Sequence, residues 1–227
     1  MAAAAILPVK RFSDAKQRLK DDLGAGSRIA LASAMFADVL AALERSRVLE
    51  TIVVVSSEPA IRDITLGRRV TLIEDESERG QSQATLAGLA RVAAQGYDSA
   101  LLVPADCPLM DASELDRLVR EATERAFDVA IVPDRHQSGT NALLLDPTGG
   151  FKPEFGPNSL SRHTDQARRK GLRWAVKPVP SLAIDLDTTD DLGALTGALR
   201  RSHGRAPRTR GVLRQIERSG RLPSVAA

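Results

Sequence analysis

The sequence predicts an α/β fold built on a doubly wound, mainly parallel sheet. Three observations support this prediction. Short apolar runs of strand length alternate along the chain with segments whose apolar residues recur at helical spacing. Apolar residues make up 43% of the 227 residues, enough for the core of one sizeable domain. Aromatic residues make up 3%, so we expect an aliphatic core.

The predicted strands are apolar runs separated by turn residues, and several of the runs are rich in β-branched residues. They cover residues 4–9, 51–55, 70–73, 100–103, 129–132, 141–145 and 173–179. Helical spacing predicts helices over 27–45, 84–94, 113–126 and 160–170, and one that begins near residue 190. Ser27, Ser113 and either Thr188 or Thr189 are expected as N-caps, with Asp116 completing a capping box.

The first indication of chemistry is the stretch S-A-L-L-V-P-A-D-C-P over residues 99–108. Pro104 ends the strand because it has no N–H for the sheet, and Asp106 follows where the strand leaves the sheet. In open α/β sheets ligands bind beyond the carboxyl ends of the strands, where a carboxylate can hold Mg²⁺ beside a phosphate. Taken alone, an ordinary turn aspartate remains the simpler interpretation.

A second stretch, S-L-A-I-D-L-D-T-T-D-D-L over residues 181–192, has the same pattern. A short apolar strand is predicted to end in aspartate, with Asp185 and Asp187 on one strand face. Asp106 and Asp187 together predict a Mg²⁺ clamp for phosphoryl or nucleotidyl transfer. Their separation in sequence does not by itself bring them together.

A cationic segment follows the first predicted strand. It contains Lys10, Lys16, Arg18 and Lys20 but no glycine, which excludes a glycine-rich phosphate loop. These cations can meet a triphosphate, and a solvated basic surface is an equally good interpretation from composition.

Two glycine-containing loops are candidate anion sites. In F-G-P-N-S over residues 155–159, glycine permits close backbone approach and the free N–H groups of the next helix can bind an anion. Taken alone, a plain capped helix start is the simpler interpretation of this loop. Residues 138–140, S-G-T, form a second and weaker candidate.

Several classes of protein are disfavoured. Cys107 is the single cysteine, which excludes an intrachain disulfide and a Cys-cluster zinc site. His136 and His163 lack metal-ligand spacing, and we expect each to be solvated or hydrogen-bonded. No G-x-S-x-G elbow is present. We see no run of the ~18 apolar residues that a membrane span needs and interpret residues 2–9 as a strand, so we expect a cytoplasmic protein.

The charge of the chain is uneven. Residues 200–227 hold eight arginines and one glutamate, a net +7, whereas the whole chain carries +3. We therefore expect a mildly acidic domain over 1–199 and an Arg-rich, partly disordered tail over 200–227. The basic tail raises nucleic-acid binding as an alternative, but the few aromatic residues disfavour base stacking.

Taken together, the motifs resemble the CofC-like guanylyltransferases of coenzyme F-420 biosynthesis, within the molybdenum-cofactor-type nucleotidyltransferases. The matching segments are ILPVK at 6–10, AKQRL at 15–19, VVVSS at 53–57, PADCPL at 104–109, DRHQSGTN at 134–141, FGPNSLSRH at 155–163 and IDLDTTDDL at 184–192. PADxPL is typical of the broad superfamily, and GTN and FGPxSxxRH are more specific to this branch. The resemblance implies a Rossmann-like, GT-A-like nucleotidyltransferase fold.

The resemblance also implies residue roles. Asp106 and Asp187 match the metal-binding carboxylates, with two Mg²⁺ ions expected, and both are expected to be catalytic together with Lys10. The positions implied to bind the nucleotide are Lys10, Lys16, Arg18, Ser56 and Pro104. Thr140, Gly156 and Ser159 match the positions that bind the acceptor.

The implied reaction is attack of the acceptor phosphate on the α-phosphorus of GTP, with release of pyrophosphate. The acceptor is phosphoenolpyruvate, 3-phosphoglycerate or 2-phospholactate, and we favour phosphoenolpyruvate. Ser82, within G-Q-S-Q-A over residues 80–84, departs from the family's G-x-N-x-A pattern. Transfer of another nucleotide, as in molybdopterin or sugar-phosphate nucleotidyltransferases, and phosphate binding without turnover remain alternatives. The sequence does not determine the oligomeric state.

Overall fold

A computed structural model describes residues 2–75, 81–202 and 204–219 of the chain. Within them, seven strands form one sheet. The strands are β1 (Ala3–Val9), β2 (Leu49–Ser56), β3 (Val70–Glu74), β4 (Ser99–Leu102), β5 (Val129–Pro133), β6 (Thr140–Leu145) and β7 (Trp174–Val176). Their order across the sheet is β3-β2-β1-β4-β6-β5-β7.

Helices connect most of these strands. They are α1 (Ala25–Glu44), α2 (Pro59–Thr65), α3 (Gln81–Ala94), α4 (Ala112–Glu124), α5 (Ser159–Arg169), α6 (Thr189–Arg201) and α7 (Pro207–Arg218). Short 3₁₀ helices span Phe12–Asp14, Gln17–Leu19 and Pro180–Leu182. The predicted strands and helices are therefore largely confirmed, whereas α2 was not expected and α7 lies in the segment expected to be partly disordered.

The sheet has helices on both faces. On β1, Leu7 packs with Phe36 of α1 and Leu115 of α4, whereas Ile6 packs with Leu89 of α3 on the opposite face. Aliphatic side chains dominate both clusters, as the composition predicts. The predicted doubly wound α/β fold is confirmed.

Strand β6 is the exception to the parallel arrangement. β1 pairs in parallel with β2 and β4, β2 with β3, and β5 with β7, whereas β6 runs antiparallel to both β4 and β5. An antiparallel strand begins at the edge where its parallel neighbours end. Thr140, the first residue of β6, therefore lies at the carboxyl edge of the sheet.

The strand predicted before Asp185 is wrong. Pro180–Leu182 is instead a 3₁₀ helix, and irregular chain continues to the start of α6. The backbone N–H of Leu186 donates to the Asp106 carbonyl at 3.3 Å, so this chain runs beside the end of β4 without joining the sheet. Asp185 and Asp187 consequently do not share a strand face.

Two of the three expected N-caps also differ. α1 begins after Gly24 rather than Ser27, and Asp111 caps α4 by accepting from the backbone N–H groups of Ser113 and Glu114. A carboxylate placed before the helix satisfies two free donors, which Ser113 inside the helix cannot do. Thr188 caps α6 in a capping box with Asp191, as expected for one of the two threonines.

The segment from residue 200 differs from the expected disordered tail. The proposed boundary at residue 199 falls inside α6, and α7 packs on α1 with Leu213 and Ile216 buried near Met35. Interspersed arginines hide this apolar spacing in the sequence. Residues 220–227 of the expected tail lie outside the described residues.

Helix α1 also bears on the membrane prediction. An 18-residue window of this 20-residue helix has a mean hydropathy of 1.4, so length and composition alone would allow it to cross a membrane. Our expectation of no such run was therefore too strict. Buried Phe36, Leu40 and Leu43 pack in the main core, which accounts for the apolar character of this helix.

Replacing Asp38 should detach the start of α7. Its buried carboxylate accepts from the backbone N–H groups of Arg208 at 3.3 Å and Thr209 at 2.8 Å. Asp38→Ala leaves these donors without an acceptor, so we expect a loss of about 1–3 kcal/mol in the free energy of unfolding. Urea denaturation measures it, with exposed Asp63→Ala as the control, expected within about 0.5 kcal/mol of wild type. Equal stability of both variants would contradict the assignment.

Candidate active site

The predicted nucleotide and metal residues collect at one edge of the sheet. Lys10 directly follows β1, Ser56 is the last residue of β2, and Pro104 and Asp106 follow β4. These three strands are parallel neighbours, so their carboxyl ends lie together. This is the edge where open α/β sheets bind ligands.

Lys16 joins the two separated carboxylates. Its Nζ donates to Asp106 Oδ2 and, at 3.2 Å, to Asp187 Oδ1. The Lys16 side chain is 6% exposed, so the ammonium lies between the two aspartates with little water access. The structure therefore brings together Asp106 and Asp187, as the sequence analysis required.

The charge of Lys16 depends on this arrangement. Burial by itself lowers the pKa of Lys16, but the charges and hydrogen bonds of Asp106 and Asp187 outweigh it and raise the pKa above its usual value. Lys16 also has a left-handed backbone, with φ of 58°, which is uncommon for a residue with a side chain. The backbone thus turns sharply where it delivers the ammonium to the carboxylates.

Two further basic residues border this group. Arg18 Nη1 lies 3.9 Å from Asp187 Oδ2, and its side chain is mostly exposed. Lys10 is exposed as well. The segment predicted to meet phosphates therefore places Lys16 and Arg18 at the Asp106–Asp187 pair, and Lys10 follows the strand that ends at the same sheet edge.

Asp185 is a third carboxylate beside the pair. Burial, followed by the charge of Asp106, raises the pKa of Asp185 to about 6. Asn141 Nδ2 donates to Asp185 Oδ1 at 3.2 Å and to the Leu182 carbonyl at 2.7 Å. Asn141, from the second position of β6, therefore ties down the irregular chain that carries Asp187.

Ser56 and Pro104 lie at the site edge, but their side chains offer few polar contacts. Ser56 Oγ donates to the Val9 carbonyl at 2.8 Å and accepts from the Glu58 N–H at 3.0 Å. The hydroxyl therefore joins the ends of β1 and β2. Pro104 is half-buried and has no N–H to donate.

The predicted acceptor residues form a second group. Thr140 Oγ1 lies 2.9 Å from His163 Nδ1 of α5, and the Leu160 N–H donates to the Ser138 carbonyl at 3.2 Å. These contacts join the start of β6 to the first turn of α5. Ser159 and His163 lie four residues apart and so share a face of that helix.

Ser159 and Gly156 have distinct features in this group. Ser159 Oγ is buried and has no hydrogen-bond partner among the described residues. Gly156 has a φ of 114°, a conformation that side chains rarely permit, and its carbonyl accepts from the Ser159 N–H at 3.1 Å. Asn158, at the N-cap position of α5, makes no side-chain capping bond, and backbone carbonyls of Gly156 and Ser138 accept from the first two N–H groups of the helix instead.

His163 lies in apolar surroundings. The rings of Phe151 and Phe155 lie 5.7 and 5.6 Å from the imidazole, centroid to centroid. Burial, followed by the charge of Arg162, lowers the pKa of His163 to about 4, so the ring is neutral at pH 7. The expectation of a hydrogen-bonded histidine is confirmed for this residue.

Two residues of this site were not assigned from the sequence. Asn141 directly follows Thr140, and His163 lies four residues after Ser159. The position of Asn141 beside Thr140 at the start of a strand, and the helical spacing of His163 from Ser159, are the signals that could have identified these two residues.

An acidic group elsewhere is a weaker metal candidate. His136, Asp190 and Asp191 bring ligand atoms within 4.8 Å of one another. Arg135 pairs with Asp190 and, at 2.8 Å, with Asp191. Asp191 is also committed to the cap of α6.

Comparison with known proteins identifies the family. The family model described as "Guanylyl transferase CofC like" matches residues 3–222. The chain belongs to this family. A phosphoenolpyruvate guanylyltransferase from Conexibacter woesei is 41% identical over 219 residues, which cover 96% of this chain and 98% of the relative. A 2-phospho-L-lactate guanylyltransferase from Methanothermobacter thermautotrophicus is 31% identical, covering 95% and 92% of the two chains.

Solved structures support the fold. A putative nucleotide-diphospho-sugar transferase from Desulfovibrio desulfuricans G20 superposes with a TM-score of 0.71 at 19% identity, covering 96% of both chains. The family match extends past residue 199 into α7, consistent with the packing of this helix on α1. The departure at residues 80–84 is only partly visible, because Gly80 lies outside the described residues, whereas Ser82 and Ala84 lie in the first turn of α3.

The low pKa of His163 predicts a pH-dependent contribution to stability. Between pH 6.5 and about 4 the unfolded chain binds a proton at His163 that the folded chain does not. The stabilisation that the neutral imidazole gives the folded state is therefore complete above pH 6.5 and declines below it. We expect the stability advantage of wild type over His163→Asn to shrink by up to about 3 kcal/mol across this window.

Urea denaturation of both proteins from pH 7.5 to 4 measures this difference. Comparison with the variant is needed because Asp185, whose pKa is raised, changes stability in the opposite direction over an overlapping range. A difference that stays constant with pH would contradict the buried neutral imidazole.

Proposed function

We propose that this chain transfers GMP from GTP to the phosphate of a three-carbon phospho-acid, releasing pyrophosphate, with phosphoenolpyruvate as the preferred acceptor. The observation that carries the proposal is the convergence of Asp106 and Asp187 on Lys16 at the carboxyl edge of the sheet. The family match and the names of its relatives support guanylyl transfer and this class of acceptor. Most of the relatives with substantial identity are named for phosphoenolpyruvate, which supports the preference.

Asp106 and Asp187 are the residues proposed to hold Mg²⁺, with Asp185 beside them. Their carboxylates are the hard oxygen ligands that Mg²⁺ requires, and the Lys16 ammonium between them indicates a strong preference for positive charge at that point. When bound there, one or two Mg²⁺ ions would neutralise phosphate charge and align the reacting oxygens. The chain itself supplies the carboxylates, and Asn141 holds Asp185 beside them.

Lys10, Lys16 and Arg18 are proposed to bind the triphosphate. Lys16 is already charged and partly desolvated, so it can transfer hydrogen bonds to phosphate oxygens with little rearrangement. Because the Ser56 hydroxyl is engaged within the chain, any nucleotide contact there would come through the backbone. The same holds for Pro104, whose carbonyl is its only polar group.

The second group of residues is proposed to bind the acceptor. The hydroxyls of Thr140 and Ser159, and the backbone turned by Gly156, lie at the start of α5, where the helix dipole favours an anion. A phosphate monoester with a second pKa of about 6 is largely a dianion at pH 7. The attacking oxygen therefore needs alignment rather than a general base.

The proposed setting is a cytoplasmic enzyme of coenzyme F-420 biosynthesis. Small anionic substrates account for the basic segment at the site, and we propose no nucleic-acid or membrane partner. The arginines of α6 and α7 remain without an assigned ligand.

Removing either proposed metal ligand should abolish most turnover. Asp106→Asn and Asp187→Asn keep the shape of the side chain but remove its charge, so we expect turnover to fall by about 10²-fold or more in each. Pyrophosphate release with GTP, Mg²⁺ and phosphoenolpyruvate is the measurement, and Asp63→Asn on α2 is the control. Near-wild-type rates in both site variants would overturn the assignment of these two carboxylates as metal ligands, and no pyrophosphate release even from wild type would favour a phosphate-binding protein without turnover.

Competition among substrates tests the reaction itself. We expect mass spectrometry of a mixture of GTP, Mg²⁺, phosphoenolpyruvate, 3-phosphoglycerate and 2-phospholactate to show mainly the guanylylated phosphoenolpyruvate. The same mixture with ATP, CTP or UTP in place of GTP is the control for nucleotide choice. A dominant product from another nucleotide would overturn guanylyl transfer, and another dominant acceptor would overturn only the stated preference.

A further inference from the structure

The hydrogen bonds of His163 determine which ring nitrogen carries its proton. The Glu154 backbone N–H donates to Nε2 at 2.8 Å, so Nε2 is the unprotonated nitrogen. Thr140 Oγ1 lies 2.9 Å from the other nitrogen, Nδ1. In a neutral imidazole the proton is therefore on Nδ1, which donates to the Thr140 hydroxyl oxygen.

The surroundings of His163 maintain this neutral form. Phe151 and Phe155 exclude water from the ring, and Arg162 disfavours a second positive charge. A charged imidazole would have to donate from both nitrogens and would lose the Glu154 N–H bond. The same tautomer is thus expected over the whole range near neutral pH.

The consequence falls on the hydroxyl proton of Thr140. Since Oγ1 accepts from His163, its own hydrogen is left to donate elsewhere, and no second partner is present among the described residues. Ser159 Oγ, on the same face of α5 as His163, is buried without a partner as well. Two buried hydroxyls, one at the start of β6 and one at the start of α5, thus have hydrogens with no acceptor among the described residues. An anionic ligand oxygen is the kind of group that would accept from them.

We propose that His163 is a positioning residue that orients the Thr140 hydroxyl as a donor to an anionic oxygen of the acceptor. His163 acts on the acceptor through Thr140 and does not itself contact the substrate. The inference rests on the proposed function, because it takes Thr140 to bind the phospho-acid. It adds a residue of the FGPxSxxRH motif to which the sequence assigned no role.

Two substitutions at His163 separate positioning from simple structural support. The amide of asparagine can occupy the place of Nδ1 and still donate to Thr140, whereas that of glutamine reaches the place of Nε2 and can accept only from Glu154. We expect His163→Gln to raise the KM for phosphoenolpyruvate about tenfold with little change in the KM for GTP, and His163→Asn to restore most of the affinity. A higher acceptor KM in His163→Asn than in His163→Gln would show that His163 only supports the loop that carries Glu154, and it would overturn the inference.

The same kinetics in a Thr140→Val background test whether His163 acts through Thr140. We expect Thr140→Val to raise the acceptor KM about tenfold or more, and His163→Gln to add little to it. If the two substitutions raised the acceptor KM independently, so that their effects multiplied, the inference would be overturned while Thr140 stayed in the acceptor site. An unchanged acceptor KM in Thr140→Val would remove that residue from the proposed acceptor site, and the inference with it.

An NMR measurement on the wild-type protein tests the inference even if the variants do not fold. The chain has three histidines, so ¹⁵N-labelled imidazoles can be assigned by NMR, and we expect His163 as the Nδ1–H tautomer from pH 6 to 8. The Nε2–H tautomer or a charged ring would overturn the inference. If the wild-type protein transferred no GMP, the proposed function would fail, whereas the tautomer measurement would still decide the hydrogen-bond geometry.

Discussion

The interaction on which the site depends is the ion pair that Lys16 forms with Asp106 and Asp187 together. Two carboxylates at close range repel each other, and at a partly desolvated position this repulsion is weakly screened. The buried ammonium removes it and holds both side chains at the sheet edge. A divalent ion held by the same two carboxylates would offset their charge in the same way.

Strand β6 joins this charged centre to the second group of residues. Adjacent strand residues point to opposite faces of a sheet, and Thr140 and Asn141 use this alternation. Thr140 contacts His163 on α5, whereas Asn141 contacts the chain between Leu182 and Asp185. Because β6 is antiparallel, both lie at the carboxyl edge, and one dipeptide sets the relation between the proposed acceptor and metal residues.

The sequence predicted strands and helix caps well where neighbouring residues specify them. The runs at 51–55 and 129–132 are strands, and Thr188 caps α6, because β-branching and capping act over a few residues. The prediction failed at Asp185, where Pro180 and contacts with Asn141 and Asp106 replace the strand by irregular chain. It failed again at α7, whose start is held by Asp38, far away in the sequence.

By itself the sequence determined the α/β class, the aliphatic core and the residues able to carry phosphate chemistry, because residue type and short-range spacing encode these properties. Only the tertiary structure decided that Asp106 and Asp187 share Lys16, that β6 runs antiparallel, and that His163 is hydrogen-bonded to Thr140. Each of these depends on contacts between residues distant in the chain. Such contacts follow from packing the whole sheet, and no local pattern specifies them.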